Sequence, residues 1–380
     1  MLVCKKIRIK ISQEDKVTLE FMQRKCRGLY NWWIGKLRKG EKWHLYEAKL
    51  SLQESKKYDP ELNDVYGKLL AEVYFRIDSA MKAFFRRLKE NAGKAGFPRY
   101  KSRYEFFTLS YPAMYIKTNG KTVILPTGGK GKNKSYQSII AKLTEQPPEK
   151  FKELAISKDS RGNYYCSFVY ERPEKPRNNS GVVAFDLGIK TLAVGVNESG
   201  RIYKIGGFKG YRWYNRQLDK IRSKRDKCKK GTRRYRFLTQ VYKRVSEKKH
   251  NKQKDSLHKA SYLIAYKLAE SAVVIGDLSQ EQMVAKSENK NKNRAVKNDW
   301  GLYQFKQFLS YKCKLYGKEL HVISERNTSK TCHKCGYIQA MPLYKRTYKC
   351  PKCGLVMDRD ENSAINILNR FFARLGPYTT

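Results

Sequence analysis

The chain has 380 residues, with 81 Lys and Arg against 35 Asp and Glu, which gives a formal net charge of +46. Such a chain repels itself unless a polyanion is its working partner, and the charge exceeds what solubility requires. Hydrophobic residues make up 40% and aromatic residues 13% of the sequence, so it is not a disordered basic tail. The length suggests two to four structural units.

Hydropathy and cysteine usage predict the cellular setting. The sequence contains no apolar run of roughly 18 residues or more, so a membrane-spanning helix is excluded. The start, MLVCKKIRIKIS, lacks the apolar core of a signal peptide. The nine cysteines are an odd number, and four of them form one tight cluster. We therefore expect a cytoplasmic protein with a metal site rather than a disulfide framework.

The first predicted elements are a strand and a group of helices. Residues 3–11 alternate basic residues with isoleucine, as in a strand, and Ser12 then caps a long helix. Apolar residues at helical spacing continue to about Lys94, and a Gly-Phe-Pro sequence at 96–98 breaks the pattern. The sequence predicts a helical bundle here.

Short strands with turn signals follow over residues 106–170. Asn119-Gly120 marks a hairpin, and a basic turn occupies residues 128–135. Residues 175–180 are typical of a linker. This region is predicted to form a small β-barrel or sheet.

An α/β unit begins at Gly181. The apolar strand GVVAFDLG ends in Asp186, and two further strands complete an antiparallel meander. Residues 211–272 are helical and basic, with a net charge of +18 over 201–260. Then come a buried strand over 271–278, a Lys- and Asn-rich loop at 286–298, a helix over 302–317, and a third buried strand ending at Glu325.

Four cysteines carry the strongest chemical signal in the sequence. Two CxxC knuckles lie fourteen residues apart, at Cys332, Cys335, Cys350 and Cys353. This spacing brings four thiolates onto one zinc ion at about 2.3 Å, and a site with no open position is structural. Free thiols are the alternative interpretation.

Carboxylates at the ends of predicted elements form a second signal. Asp186 closes an apolar strand, and Asp358 and Asp360 open the last helix. We interpret Asp358 as the helix cap, with Glu361 three residues later. Asp360 fits either the helix dipole or a metal site. Together these strand ends resemble an RNase H-like nuclease of the RuvC type, which needs several carboxylates around two divalent metals.

The resemblance extends to a named family. The sequences GVVAFDLGIKTLAVG, VVIGDL, NTSKTCHKCG and YKCPKCGLVMDRDENSAINIL resemble the transposon-encoded, RNA-guided nuclease family TnpB, which is related to type V CRISPR effectors and Fanzor. GFPRYKS at 96–102 resembles it too, and the N-terminal half does so mainly in layout.

The resemblance implies a multidomain fold that combines α/β, helical-bundle and β-barrel parts. A wedge-like β-barrel would comprise 1–12 and 96–173, and a helical recognition domain 13–95. An RNase H-like RuvC domain would span 181–380, with a zinc ribbon inserted at 328–356.

The resemblance also assigns catalytic residues. Asp186 matches the first RuvC carboxylate and Asp360 the third, but the expected second-motif glutamate is replaced by Gly276. Asp277 is adjacent, yet it would point to the opposite face of its strand. Glu325, at the end of the next strand, is the better candidate, as in family members with a relocated glutamate. Its alternative role is a strand terminus paired with Arg326 or a lysine.

Basic and aromatic residues are interleaved in two regions suited to phosphates and unpaired bases. The region-level candidates are Arg212, Trp213, Arg216, Arg233, Arg234 and Arg236. A tyrosine-rich core with snorkelling lysines is the alternative interpretation.

These observations lead to three hypotheses. The first is an RNA-guided endonuclease that cleaves double-stranded DNA beside a short motif. Asp186, Glu325 and Asp360 would bind catalytic Mg²⁺, and the four cysteines would bind structural Zn²⁺. The protein would be a monomer in complex with a guide RNA from the transposon end. The second, motivated by Gly276, is a nuclease-dead RNA-guided repressor. The third is a zinc-ribbon RNA-binding protein of ribosomal type.

Overall fold

The computed structural model describes residues 1–90, 95–130, 135–176, 181–285, 287–342 and 344–375. They form two compact units, Met1–Arg172 and Pro173–Thr380. Parts of the predicted basic turn at 128–135 and linker at 175–180 lie outside the described residues, as does the predicted helix end near Lys94.

The first unit opens with strand β1 (Leu2–Lys10) and helix α1 (Gln13–Arg38). Ser12 caps α1 as predicted, and its side chain accepts the Asp15 N–H at 3.0 Å. The predicted helical region is divided into several helices, the first break being at residues 39–44, which leave the helical conformation. The later helices are α2 (Leu45–Leu50), α3 (Leu52–Tyr58), a 3₁₀ turn (Pro60–Asp64) and α4 (Gly67–Glu90).

A seven-stranded sheet completes the first unit, in the order β2-β6-β7-β1-β5-β4-β3. Its strands after β1 are β2 (Leu109–Pro112), β3 (Lys117–Asn119), β4 (Thr122–Lys130), β5 (Ser135–Leu143), β6 (Glu153–Lys158) and β7 (Tyr164–Glu171). The predicted hairpin joins β3 and β4 through Gly120, whose φ of +53° suits glycine. Apolar residues of the sheet and of α1 and α4 share one core.

The second unit is built on a mixed five-stranded sheet in the order β10-β9-β8-β11-β12. Its strands are β8 (Val182–Leu187), β9 (Ala193–Asn197), β10 (Ile202–Ile205), β11 (Ala272–Gly276) and β12 (Glu319–Ile323). The meander β8-β9-β10 is antiparallel, as predicted, and β8, β11 and β12 are parallel.

Helices cover both faces of this sheet, which explains why its central strands are continuously apolar. Val183, Phe185 and Val273 face one core, whereas Ala184 and Val274 face the core under the last helix. The helical elements are α5 (Tyr211–Asp226), α6 (Arg233–Tyr262), a π-helical turn (Leu263–Leu268), α7 (Gln280–Ala285), α8 (Lys290–Arg294), a second π-helical turn (Ala295–Asp299), α9 (Leu302–Leu315) and α10 (Arg359–Leu375).

Two sequence predictions for this unit need correction. The segment 286–298 contains α8 and a π-helical turn rather than only a loop, because Asn289 caps the helix through the Lys292 N–H. The third strand is not buried along its length, since β12 is an edge strand with Val322 51% exposed. It also ends at Ile323, two residues before Glu325.

A small two-stranded sheet precedes α10. It pairs β13 (Thr347–Lys349) with β14 (Val356–Asp358). Asp358 caps α10 as predicted, because its carboxylate accepts the N–H of Asp360 at 2.8 Å and of Glu361 at 3.3 Å. Within the described parts of the chain, no helix has both the length and the apolar character needed to cross a bilayer.

Candidate functional site

Asp186 lies near the end of the central strand β8, against the first turn of α10. Ser363 Oγ, one turn into that helix, lies 3.1 Å from Asp186 Oδ1. The pKa of Asp186 is raised well above its usual range, mainly by burial and further by the negative charges of Asp360 and Glu325. Asp186 therefore lies close enough to the other two predicted carboxylates to feel their negative charges.

Asp360 is buried in the first turn of α10, and its carboxylate is held by two arginines. Arg359 Nη2 donates to Oδ1 at 3.0 Å, and Arg346 donates to Oδ2. Arg346 lies between the two cysteine knuckles, just before β13. The pairing of Asp360 with Arg346 could not be predicted from the sequence, because it depends on how the segment between the knuckles folds back onto the helix.

Glu325 occupies the space that a side chain at residue 276 would fill. Gly276 ends β11 and pairs in register with Ile323 of the neighbouring strand β12. A Cβ atom placed on Gly276 would lie 3.0 Å from Glu325 Cβ and 3.1 Å from Cδ, and it would overlap Oε2. Because residue 276 is glycine, the Glu325 side chain, two residues beyond the end of β12, can occupy this space.

Two residues surround Glu325: Asp277, which the sequence offered only as a less favoured catalytic candidate, and Lys306, for which the sequence contains no signal. Asp277 Oδ1 accepts the Glu325 N–H at 3.1 Å, which fixes the turn that carries Glu325. Lys306 of α9 donates to the carbonyls of Gly276 at 3.2 Å and Leu278 at 3.4 Å. Burial raises the pKa of Glu325 to about 7, the Asp277 charge adds to this rise, and Lys306 opposes it. Glu325 Oε2 is buried and has no hydrogen-bond partner among the described residues.

Asp360 is paired with two arginines, whereas the pKa values of Asp186 and Glu325 are both raised. An unpartnered buried oxygen and a raised pKa are features that a bound cation would relieve, and an all-oxygen donor set suits Mg²⁺. The three carboxylates are less tightly grouped than the four cysteines. Among the described residues, only the cysteines form a set of three or more possible metal ligands whose ligand atoms all lie within 4.8 Å of one another.

The four predicted cysteines converge as the spacing indicated. Cys332 Sγ lies 3.6 Å from Cys353 Sγ, and Cys335 Sγ lies 3.5 Å from Cys350 Sγ. A tetrahedron with zinc–sulfur bonds of about 2.3 Å has edges of about 3.8 Å, so the thiols fit zinc. Burial opposes ionisation of Cys350, but N–H groups of Cys353 and Lys352 lower its pKa to about 7.

Asparagines of α10 connect the cysteine cluster to the helix that carries Asp360. The buried Asn362 accepts the His333 N–H at 3.1 Å and donates to the Thr331 carbonyl at 2.7 Å. Asn366 donates to the same carbonyl at 2.7 Å. A folded knuckle therefore supports the position of α10, and His333, which lies inside that knuckle, is half-buried.

The predicted nucleic-acid residues lie at the exposed starts of α5 and α6. Each of the arginines is exposed, and Trp213 is 54% exposed with its ring edge against Tyr214 at 4.8 Å. The two helices pack together, and Arg222 Nη2 donates to Tyr242 Oη at 2.9 Å. The candidate residues are Arg212, Trp213, Arg216, Arg233, Arg234 and Arg236.

Two family models of known proteins match this chain, mostly within the second unit. The family model OrfB_IS605, described as "Probable transposase", matches residues 166–287, and the model "Cas12f1-like, TNB domain" matches residues 303–367. A TnpB-like protein of Methanocaldococcus jannaschii is 26% identical over 239 residues, which cover 62% of this chain and 83% of that protein. These matches show that the chain is similar to TnpB proteins.

Two further comparisons match proteins of similar length and layout. A Streptomyces pristinaespiralis protein named "Putative RNA-guided DNA endonuclease" is 27% identical over 314 residues, covering 81% of this chain and 72% of that protein. The solved structure of a Cas12f1-sgRNA-target DNA complex superposes with a TM-score of 0.66 at 17% identity, covering 94% of this chain and 83% of that chain. The mixed α/β fold of this protein is thus that of Cas12f1-like effectors.

Proposed function

We propose that this protein is an RNA-guided DNA endonuclease whose second catalytic carboxylate is Glu325. The observation that carries the proposal is the packing of Glu325 over Gly276, with a buried Oε2 that no described residue satisfies. Relatives named as RNA-guided DNA endonucleases and the Cas12f1 fold support the activity. Guide RNA and target double-stranded DNA would neutralise the charge of +46.

Asp186, Glu325 and Asp360 would hold the divalent metals, for which Mg²⁺ is the expected ion. Metals at such a site supply an activated hydroxide and stabilise the leaving oxygen of the phosphodiester. Ser363 orients Asp186, and Asp277 fixes the Glu325 backbone. Arg346 and Arg359 neutralise Asp360 in the metal-free protein and are placed to meet a phosphate once that carboxylate is engaged.

The same proposal includes the domains, the zinc site, the source of the guide RNA and the oligomeric state. The second unit would be an RNase H-like RuvC domain, with a zinc ribbon over 328–356 that holds structural Zn²⁺. The first would combine a wedge-like barrel (1–12 and 96–173) with a helical recognition domain (13–95). The guide would come from the transposon end, and the protein would act as a monomer.

The test compares binding and cleavage by the complex of the chain with its guide RNA. Glu325→Gln should bind target DNA normally but cleave it more than about 100-fold more slowly with Mg²⁺, because a lost ligand costs more than a lost outer-shell partner. Glu319→Gln, at the exposed opposite end of β12, is the matched control and should cleave normally.

Each result has a separate meaning. Equal cleavage by the two variants would show that Glu325 is not a catalytic carboxylate. Tight guided binding without cleavage by the wild type would instead favour the nuclease-dead repressor. The placement of Glu325 argues against that alternative, because a binding protein gains nothing from an unsatisfied buried carboxylate.

A further inference from the structure

Two buried hydroxyl groups lie between Asp186 and the turn that carries Glu325. Ser363, one turn into α10, is 1% exposed, and Thr328, in the segment after β12, is 3% exposed. Ser363 Oγ lies 2.9 Å from Thr328 Oγ1 and 3.1 Å from Asp186 Oδ1. Thr328 Oγ1 in turn donates to the Glu325 carbonyl at 2.9 Å. We call Ser363 and Thr328 the hydroxyl pair.

The hydroxyl pair joins parts of the chain that the sheet does not join directly. Each hydroxyl has one proton and two lone pairs, so it can accept one hydrogen bond and donate the next. A continuous chain of hydrogen bonds therefore leads from the Asp186 carboxylate, on β8, to the backbone of Glu325, beyond β12. Strand β11 lies between β8 and β12, so no backbone hydrogen bonds link these two strands.

Glu325 is held at both of its backbone groups. Asp277 accepts its N–H at 3.1 Å, and its carbonyl accepts the Thr328 N–H at 3.1 Å as well as the Thr328 hydroxyl. The contact between the Glu325 carbonyl and the Thr328 N–H closes a turn over residues 325–328, in which Asn327 has a φ of +63°. A type II turn requires a positive φ at its third residue, and asparagine adopts it more readily than most residues. The turn and the hydroxyl together fix the point from which the Glu325 side chain extends.

Thr328 is also bound to α10 through its carbonyl. Asn366 donates to this carbonyl at 2.8 Å. The hydroxyl and the carbonyl of one residue thus both contact the helix that carries Asp360. Thr328 is therefore the point at which the turn of Glu325 is tied to that helix and, through the hydroxyl pair, to Asp186.

We propose that Thr328 is a positioning residue of the nuclease site, and that its hydroxyl, through Ser363, sets the position of Glu325 relative to Asp186. Strand β11, which ends at Gly276, pairs directly with β8, so a glutamate at position 276 would be placed by the backbone ladder itself. Glu325 comes from the far side of β11 and has no such ladder to β8. The hydroxyl pair supplies the missing link. This inference rests on the proposed function and adds a residue that acts through two of its carboxylates.

The first test is single-turnover cleavage by the guide-RNA complex over a range of Mg²⁺ concentrations. Thr328→Val keeps the branched shape but removes the hydroxyl, and it should raise the Mg²⁺ concentration for half-maximal rate about 10-fold, as is typical of residues that support metal ligands. Thr328→Ser keeps the hydroxyl and should restore the wild-type value. Thr239→Val is the matched control, because it removes a hydroxyl that donates to the Tyr235 carbonyl of α6 at 2.8 Å. The same Mg²⁺ dependence for both valine variants would overturn the proposal.

Metal binding gives a readout that does not depend on cleavage. Mn²⁺ is titrated into the zinc-loaded chain and followed by electron paramagnetic resonance, and the Glu325→Gln variant identifies the binding that belongs to the site. Thr328→Val should bind Mn²⁺ at this site about 10-fold more weakly, and Thr328→Ser as tightly as the wild type. Melting curves show that each variant is folded at the temperature of the titration. Wild-type Mn²⁺ affinity in folded Thr328→Val would contradict the proposal, because a purely structural hydroxyl would leave that affinity unchanged.

Failure of this proposal and failure of the proposed function are distinguishable. If the wild type does not cleave DNA, or if Glu325→Gln cleaves as fast as the wild type, the proposed function is wrong. A slow Glu325→Gln together with a normal Thr328→Val removes only the role of Thr328. Combining the two substitutions should slow cleavage little more than Glu325→Gln alone does, whereas losses that multiply would show that Thr328 does not act through Glu325.

Discussion

Replacing Gly276 with alanine should disable cleavage without touching any carboxylate. The new Cβ would lie 3.0 and 3.1 Å from two Glu325 carbons, and carbon atoms settle at about 3.5–4.0 Å. Those carbons must retreat by at least about 0.5 Å, and the overlapping carboxylate by about 1 Å. A misplacement of about 1 Å costs about 100-fold in rate, or about 2.7 kcal/mol of activation free energy.

The assay is single-turnover cleavage of target DNA by the guide-RNA complex, with binding measured in parallel. Gly28→Ala is the control, because a Cβ there has no atom within 4 Å. Overpacking should also cost about 1–3 kcal/mol of folding free energy, so melting curves must show that the variant is folded.

A double-mutant cycle identifies the route of the effect. If the alanine acts through Glu325, adding Gly276→Ala to Glu325→Gln should cause little further loss of cleavage. Wild-type cleavage by folded Gly276→Ala would refute the reasoning, and so would fully additive losses in the double variant.

Three further predictions concern zinc, protonation and folding. Cys350→Ser should lose the bound zinc and melt at a lower temperature, and full zinc content by elemental analysis would contradict the assignment. The pKa of Glu325 in the folded protein is raised to about 7, so the metal-free fold loses stability as pH rises from about 4.5 to about 7. The free energy of unfolding of Glu325→Gln should therefore exceed that of the wild type by at most about 3 kcal/mol at pH 8. Denaturant titrations measure this difference, which should shrink at pH 5. Replacing the buried Asp299 with alanine leaves the half-buried Lys249 without its carboxylate and should cost about 3–5 kcal/mol of unfolding free energy, whereas a loss below about 1 kcal/mol would show that the pair is not structural.

Local sequence patterns predicted the parts of the site that depend on local rules. The CxxC spacing predicted the thiol cluster, and the position of Asp358 before an apolar helix predicted its capping role. Asp186 could be placed at a strand end because the apolar run before it is unbroken. Each of these features is fixed by residues close in sequence.

Features that depend on strand register and long-range packing could not be predicted. Whether Glu325 fills the space over Gly276 depends on which strands are neighbours and on the turn that Asp277 holds. The contact between Arg346 and Asp360 depends on how the ribbon packs on α10. The apolar sequence of β12 predicts a buried strand. Because β12 lies at the edge of the sheet, however, Val322 is exposed.

The central claim is that three carboxylates, with Glu325 in place of the residue missing at Gly276, bind one metal pair. Anomalous scattering from manganese, in crystals of the complex with guide RNA and target DNA, tests it most directly. We expect manganese bound to Asp186, Glu325 and Asp360 together. Manganese held by the two aspartates in a cleaving complex, with Glu325 turned away, would contradict it.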